Sequence, residues 1–139
     1  MIYDVIVRKK ILVVEDDPDL VELLTFNLRA SGFAVGTAGD GVDALKKART
    51  IVPDLILLDL MLPELDGFAV GEILRRDPVT AAIPIIIVTA ISSQLARLTG
   101  LGAGANDYIT KPFSPKQLMS RVKEMLAHPV LQPVLPSVP

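Results

Sequence analysis

Leu55-Ile56-Leu57-Leu58-Asp59 is a short apolar run closed by a carboxylate, and similar runs recur along the chain. Residues 11–14 lead into Glu15 and Asp16, residues 84–88 into Thr89, and residues 108–110 into Lys111; Ala34–Ala38 supplies a fifth strand-like segment. Apolar runs of this length, separated by segments of helical period, indicate a parallel sheet covered on both faces. All strands of such a sheet point the same way, so the residues that follow them gather along one edge, where open α/β sheets bind ligands. Glu15, Asp16, Asp59, Thr89 and Lys111 therefore belong to one site.

The intervening segments carry their own punctuation. Asp17-Pro18 reads as an N-cap with proline at the first helical position; Leu20, Leu24 and Leu28 share a face, and Gly32 marks the stop. Val42, Leu45, Ala48 and Val52 recur at helical spacing until Pro53 ends that helix. Pro63 and Asp66-Gly67 form the loop after the third strand, and Ala69, Val70, Ile73 and Leu74 carry the third helix. Pro84 starts the fourth strand. The next helix, residues 93–101, is expected to end early and move easily, because Gly100, Gly102 and Gly104 crowd its end and each costs about 1 kcal/mol relative to alanine wherever it is helical. Leu118, Val122, Met125 and Leu126 give the stripe of the last helix.

With 139 residues the chain suits one domain with a full core. Half the residues are hydrophobic, yet no apolar stretch nears the roughly 18–20 residues needed to cross a bilayer, so a soluble protein is expected. The absence of cysteine excludes disulfides, thiolate metal sites and cysteine nucleophiles, and the net charge of −2 offers no basic surface for nucleic acid. Residues 1–7 lack the basic start and small-residue cleavage site of a signal peptide and read, with residues 8 and 9, as an N-terminal extension. The domain then spans residues 10–127. Residues 128–139 hold four prolines and no charged side chain, which suits an extended tail or the start of a linker.

Three carboxylates on neighbouring strands repel one another unless protons or a cation sit among them. Their oxygen-only chemistry suits a hard ion: Mg²⁺, with Mn²⁺ as a substitute, takes one or two carboxylates and completes its octahedron with water and a substrate phosphate. The metal set is Glu15, Asp16, Asp59 and Met61, the last through its backbone carbonyl. Asp59 is the candidate nucleophile, forming an acyl phosphate. Lys111 neutralises a phosphoryl oxygen, the Thr89 hydroxyl donates to another, and Ala90 leaves room for the group. Taken singly, each has a structural explanation: Asp16 or Asp17 caps a helix, Thr89 fills a strand, Lys111 is solvated. Their joint placement reverses that order.

These segments resemble the receiver domain of two-component response regulators. The matches are Ile11-Leu-Val-Val-Glu15-Asp16-Asp17, Leu55-Ile-Leu-Leu-Asp59-Leu-Met61-Leu-Pro63 with Asp66-Gly67, Ile85-Ile-Ile-Val-Thr89-Ala90, and Gly104-Ala-Asn-Asp-Tyr108-Ile-Thr-Lys111-Pro112-Phe113, covering about residues 10–127. The resemblance implies a flavodoxin-like, doubly wound sheet of five parallel strands in the order 2-1-3-4-5 with five helices. It implies Mg²⁺-dependent phosphotransfer from a histidine kinase or phosphotransfer protein to Asp59, in a cytoplasmic signalling protein. Asp16 and the Met61 carbonyl would bind the metal, with Glu15 acting through water. Thr89 and Tyr108 would form a coupled switch: the threonine moves toward the phosphoryl group and the ring turns into the vacated space. A cis Lys111-Pro112 bond is also implied.

Two departures bear on these implications. Members that dimerise through the fourth helix, fifth strand and fifth helix use charged pairs; Asp107 and Arg121 keep one, whereas Gln117, opposite Arg97, and Ala103 stand in place of acids. A homodimer through the fourth and fifth strand–helix units is therefore less well supplied with charge. Ile91 and Met61 offer no polar group to orient a water, so slow self-dephosphorylation is expected. The chain would thus catalyse its own phosphotransfer without being an enzyme for another substrate. An aspartate-nucleophile phosphatase needs a second acid where Met61 stands, and a nucleotide binder needs a phosphate loop where Glu15-Asp16-Asp17 stands. The remaining rival is a phosphorylation-independent interaction module in the same fold.

Overall fold

The computed structural model describes residues 8–127; the readings made on residues 1–7 and 128–139 lie outside the described residues. Strands and helices alternate along the chain: β1 Lys10–Val14, α1 Pro18–Ala30, β2 Ala34–Ala38, α2 Gly41–Ile51, β3 Leu55–Leu58, α3 Gly67–Arg76, β4 Ile85–Thr89, α4 Gln94–Gly102, β5 Asp107–Thr110 and α5 Pro115–Ala127. The five strands form one parallel sheet ordered β2-β1-β3-β4-β5. This is the expected flavodoxin-like fold.

Alternate residues of each strand feed opposite cores. Leu12, Val14, Ile56, Leu58, Ile85 and Ile87 pack on one face with Ala44 and Ala48 of α2 and Val70 and Leu74 of α3. Ile11, Val13, Leu55, Leu57, Ile86 and Val88 pack on the other with Leu24 and Leu28 of α1 and Leu118 and Val122 of α5. All four residues of β3 are buried, because it is the central strand with helices on both sides. No helix among the described residues is long and apolar enough to cross a membrane.

Local chemistry sets the helix ends. Asp17 accepts from the Asp19 amide, with Pro18 opening α1. At its other end Gly32 takes φ 94, and the Gly32 and Phe33 amides donate to the carbonyls of Arg29 and Leu28. Among the described residues β2 has a neighbour on one side only, and Lys47 of α2 donates to the Thr37 carbonyl at 2.5 Å while pairing with Asp43 at 2.9 Å.

Three details differ from the sequence reading. The inward face of α2 is Gly41, Ala44 and Ala48, with Leu45 half-buried, whereas Val42 and Val52 are exposed and Val52 is a left-handed cap with φ 48. Small residues let this helix approach the sheet. Similarly, Ile73 faces outward on α3 and Gly71 inward. The helix expected to end early instead continues through Gly100 to Gly102: Gly100 is a packing position, where a Cβ would stand 2.6 Å from Ile87 Cδ1 and 3.5 Å from the Tyr108 ring.

Candidate phosphoacceptor pocket

The strand register brings the candidate residues to one edge. Val14 lies beside Leu58 on one side and Ala38 on the other, Leu58 beside Ile87, and Thr89 beside Thr110. The residues that follow these strands therefore converge. Glu15 and Asp59 are buried, Asp16 is exposed, and one carboxylate oxygen from each lies within 4.8 Å of the others.

Lys111, which precedes Pro112 across a cis peptide bond, reaches into the cluster, its Nζ standing 2.8 Å from both Glu15 Oε2 and Asp59 Oδ2. The other Asp59 oxygen accepts from the Met61 amide at 3.1 Å, and Glu15 Oε1 accepts from the Asp17 amide at 3.2 Å. Thr89 is fully buried, its carbonyl accepting from the Lys111 amide at 2.8 Å and its hydroxyl oxygen meeting the Ile91 amide at 3.4 Å. The Tyr108 ring is turned inward, 4 % exposed, with its hydroxyl donating to the Ile91 carbonyl at 2.5 Å.

Two buried carboxylates share one ammonium, and they do not titrate alike. Burial pulls Asp59 upward, but hydrogen bonds, first from Lys111 and also from the Met61 amide, outweigh it and hold the carboxyl below its usual value. Burial dominates at Glu15, opposed by Lys111 and reinforced by Asp59, and pushes that carboxyl up to about 7. For Lys111, burial favours the neutral amine, yet the two carboxylates together raise its pKa. The pocket thus favours an ionised Asp59 and has spare negative charge for a further cation. Its all-oxygen donor set fits a hard divalent ion of the Mg²⁺ class.

A family model for the response regulator receiver domain matches residues 11–123. The chain belongs to this family. Over 119 residues it is 50% identical to the alkaline phosphatase synthesis transcriptional regulatory protein PhoP of Bacillus subtilis (strain 168), covering 86% of this chain and 49% of that protein. Over 119 residues it is 47% identical to the DNA-binding response regulator MtrA of Mycolicibacterium smegmatis, covering 86% of this chain and 51% of the relative. The receiver domain thus spans about half the length of the curated relatives it matches. Among solved structures, the receiver domain of sensor histidine kinase PA1611 from Pseudomonas aeruginosa PAO1 superimposes with a TM-score of 0.81 at 34% identity, covering 88% of this chain and 100% of that one. That structure has a magnesium ion coordinated in its active site cleft.

The role of Gly67 escapes a reading based on residue type. Gly67, read as part of a loop, starts α3 directly beneath the nucleophile candidate: a Cβ there would lie 2.4 Å from the Asp59 carbonyl oxygen. The Asp66-Gly67 pair was the available signal, since Asp66 caps α3 by accepting from the Ala69 amide at 3.0 Å. The Asp107–Arg121 pair closes within the chain at 2.5 Å, while Arg97 and Gln117 are both exposed.

Proposed function

We propose that this receiver domain accepts a phosphoryl group on Asp59 from a histidine kinase or phosphotransfer protein and relays the change to a partner through its fourth and fifth strand–helix units. The observation that carries this reading is the buried Asp59 carboxylate with Lys111 at 2.8 Å and the Glu15 carboxylate alongside on the same ammonium. An Asp59 carboxylate oxygen attacks phosphorus, the bond between phosphorus and the donor imidazole nitrogen breaks, and that nitrogen takes a proton from solvent. Lys111 then transfers its contact from the carboxylate to a phosphoryl oxygen, and the Thr89 hydroxyl donates to another. Mg²⁺ or Mn²⁺, when bound, neutralises phosphoryl charge. Asp16, Asp59 and the Met61 carbonyl would hold it, with Glu15 acting through water.

Movement of Thr89 toward the phosphoryl group is transmitted to Tyr108, whose ring lies against Gly100 and whose hydroxyl is tied to Ile91 at the entrance to α4. The receiving face includes α4, which exposes Leu95 and Leu98 at 75% and 60%. Self-association through this face or control of an attached effector is the output we infer, following the transcriptional and DNA-binding roles of PhoP and MtrA. Nucleic acid is not contacted by this chain. Residues 10–127 act as the receiver unit, residues 1–9 as an extension and residues 128–139 as a tail or linker start.

The same exposed leucines would also serve a phosphorylation-independent interaction module. Incubation with Mg²⁺ and a small phosphodonor, followed by intact mass measurement, separates the two. The native chain gains one phosphoryl mass and Asp59→Asn does not; equal labelling of both rejects Asp59, and no labelling of either favours the interaction module.

A further inference from the structure

α4 is lightly held. Ala96, Gly100 and the capping residue Ala103 face inward, the leucines of the helix face solvent, and a gap of about 10 Å³ remains between it and α3. Such a helix depends on its two ends. The first is tied by the hydroxyl of Tyr108 to the Ile91 carbonyl.

The second end is held by Arg75, from the last turn of α3. All five guanidinium N–H groups are used. Nε and Nη2 donate to the Gly104 carbonyl at 2.9 and 2.6 Å, Nη2 also to Asn106 Oδ1 at 2.9 Å, and Nη1 to the Ala81 and Ile83 carbonyls at 3.1 and 2.6 Å. No carboxylate takes part in these five bonds. Gly104 has φ 109, and a Cβ there would lie 2.5 Å from Arg75 Cγ, so loop and side chain are fitted closely. Asn106 Oδ1 further accepts from the Ile85 amide at 2.9 Å, which locks the same loop to the start of β4. These contacts lie at the entry ends of β4 and β5, opposite the edge that carries Thr89 and Lys111.

We propose that Arg75 is the positioning residue of the output helix: it fixes the C-terminal end of α4, so that a change launched at Thr89 and Tyr108 turns the helix about that end instead of loosening it. The proposal rests on the phosphoacceptor reading above. A planar, five-donor cation suits the task, because it joins the α3–β4 and α4–β5 connections without competing for the acidic pocket. Loss of the guanidinium frees both connections and dissipates the change arriving from Tyr108.

Hydrogen exchange tests this on the whole chain for the native protein, Arg75→Met and Arg75→Lys, each with and without Mg²⁺ plus beryllium fluoride as a phosphoryl mimic. In Arg75→Met the amides of α4 and of residues 103–106 should exchange at least tenfold faster while β1 and β3 keep native protection. The response of α4 to beryllium fluoride should fall to less than half, with Asp59 labelling by a small phosphodonor unchanged. Arg75→Lys should be intermediate, and it decides on the same readouts if Arg75→Met does not fold. Native exchange of α4 in the variant, or a faster exchange with an undiminished response, overturns the proposal. A native chain that does not respond rejects the phosphoacceptor reading instead, and the basal exchange alone then decides whether Arg75 holds α4.

Discussion

Lys111 Nζ stands 2.8 Å from Asp59 Oδ2, an ion pair that joins the exit ends of β3 and β5 across β4. The same ammonium binds Glu15, so it serves as a resident cation in an acidic pocket and as a ready partner for incoming negative charge. Replacement by methionine separates these roles. A charge-assisted hydrogen bond is worth about 1.5–3 kcal/mol, so Lys111→Met should slow labelling by a small phosphodonor roughly 10- to 100-fold. Mg²⁺ affinity should rise at the same time, because a competing cation has gone; titration of the variant with Mg²⁺ checks the sign, and weaker binding would argue that Lys111 organises the site instead.

Lifetime of the phosphorylated form provides a second expectation. Ile91 packs its side chain against the core cluster beneath β4, and Met61 is 60% exposed with no polar group to direct a water. Self-dephosphorylation should therefore be slow, and Ile91→Gln or Met61→Asn should shorten the half-life measured after donor removal. Decay of the native species within seconds, without a phosphatase, would contradict this.

Gly100 and Gly102, two residues apart on α4, should respond oppositely to alanine. At Gly100 the added methyl would meet Ile87 Cδ1 at 2.6 Å, an overpacking cost of about 1–3 kcal/mol that exceeds the roughly 1 kcal/mol gained in helix propensity. At Gly102 nothing lies within 4 Å, so Gly102→Ala should stabilise by up to about 1 kcal/mol. Urea midpoints of the two variants decide the matter.

Acid stability should depend on Asp77. It accepts from the Val79 amide at 3.0 Å and from Arg49 Nε at 2.9 Å, and these bonds hold its carboxyl below the ordinary value. A depressed folded pKa contributes stability that is present above the unfolded value of about 3.9 and lost as pH falls through the folded one. Asp77→Asn should thus be less stable than the native chain at about pH 6, with the gap closing as pH falls below the ordinary aspartate value of about 3.9; a gap independent of pH would assign the effect to geometry alone.

Much of this molecule was legible because each strand is an apolar run and each closing residue has a distinct chemistry. Glu15, Asp16, Asp59, Thr89 and Lys111 could be assigned to one edge from strand direction alone. The inward face of α2 was less legible, since hydrophobicity singles out Val42 and Val52, while close approach to the sheet selects Ala44 and Ala48. Gly100 reads as a helix breaker until its contact with Ile87 is seen. Arg75 gives no sequence signal at all, because four of its five hydrogen bonds go to backbone carbonyls, which every residue type possesses.

The Lys47 bond to the Thr37 carbonyl has a consequence for the chain's behaviour in company. Among the described residues β2 ends the sheet, and an open outer strand is a template on which another backbone can add. Among the described residues the Lys47 ammonium occupies one outward carbonyl of this strand, so acetylation, which removes the charge, would leave that margin easier for a second backbone to reach.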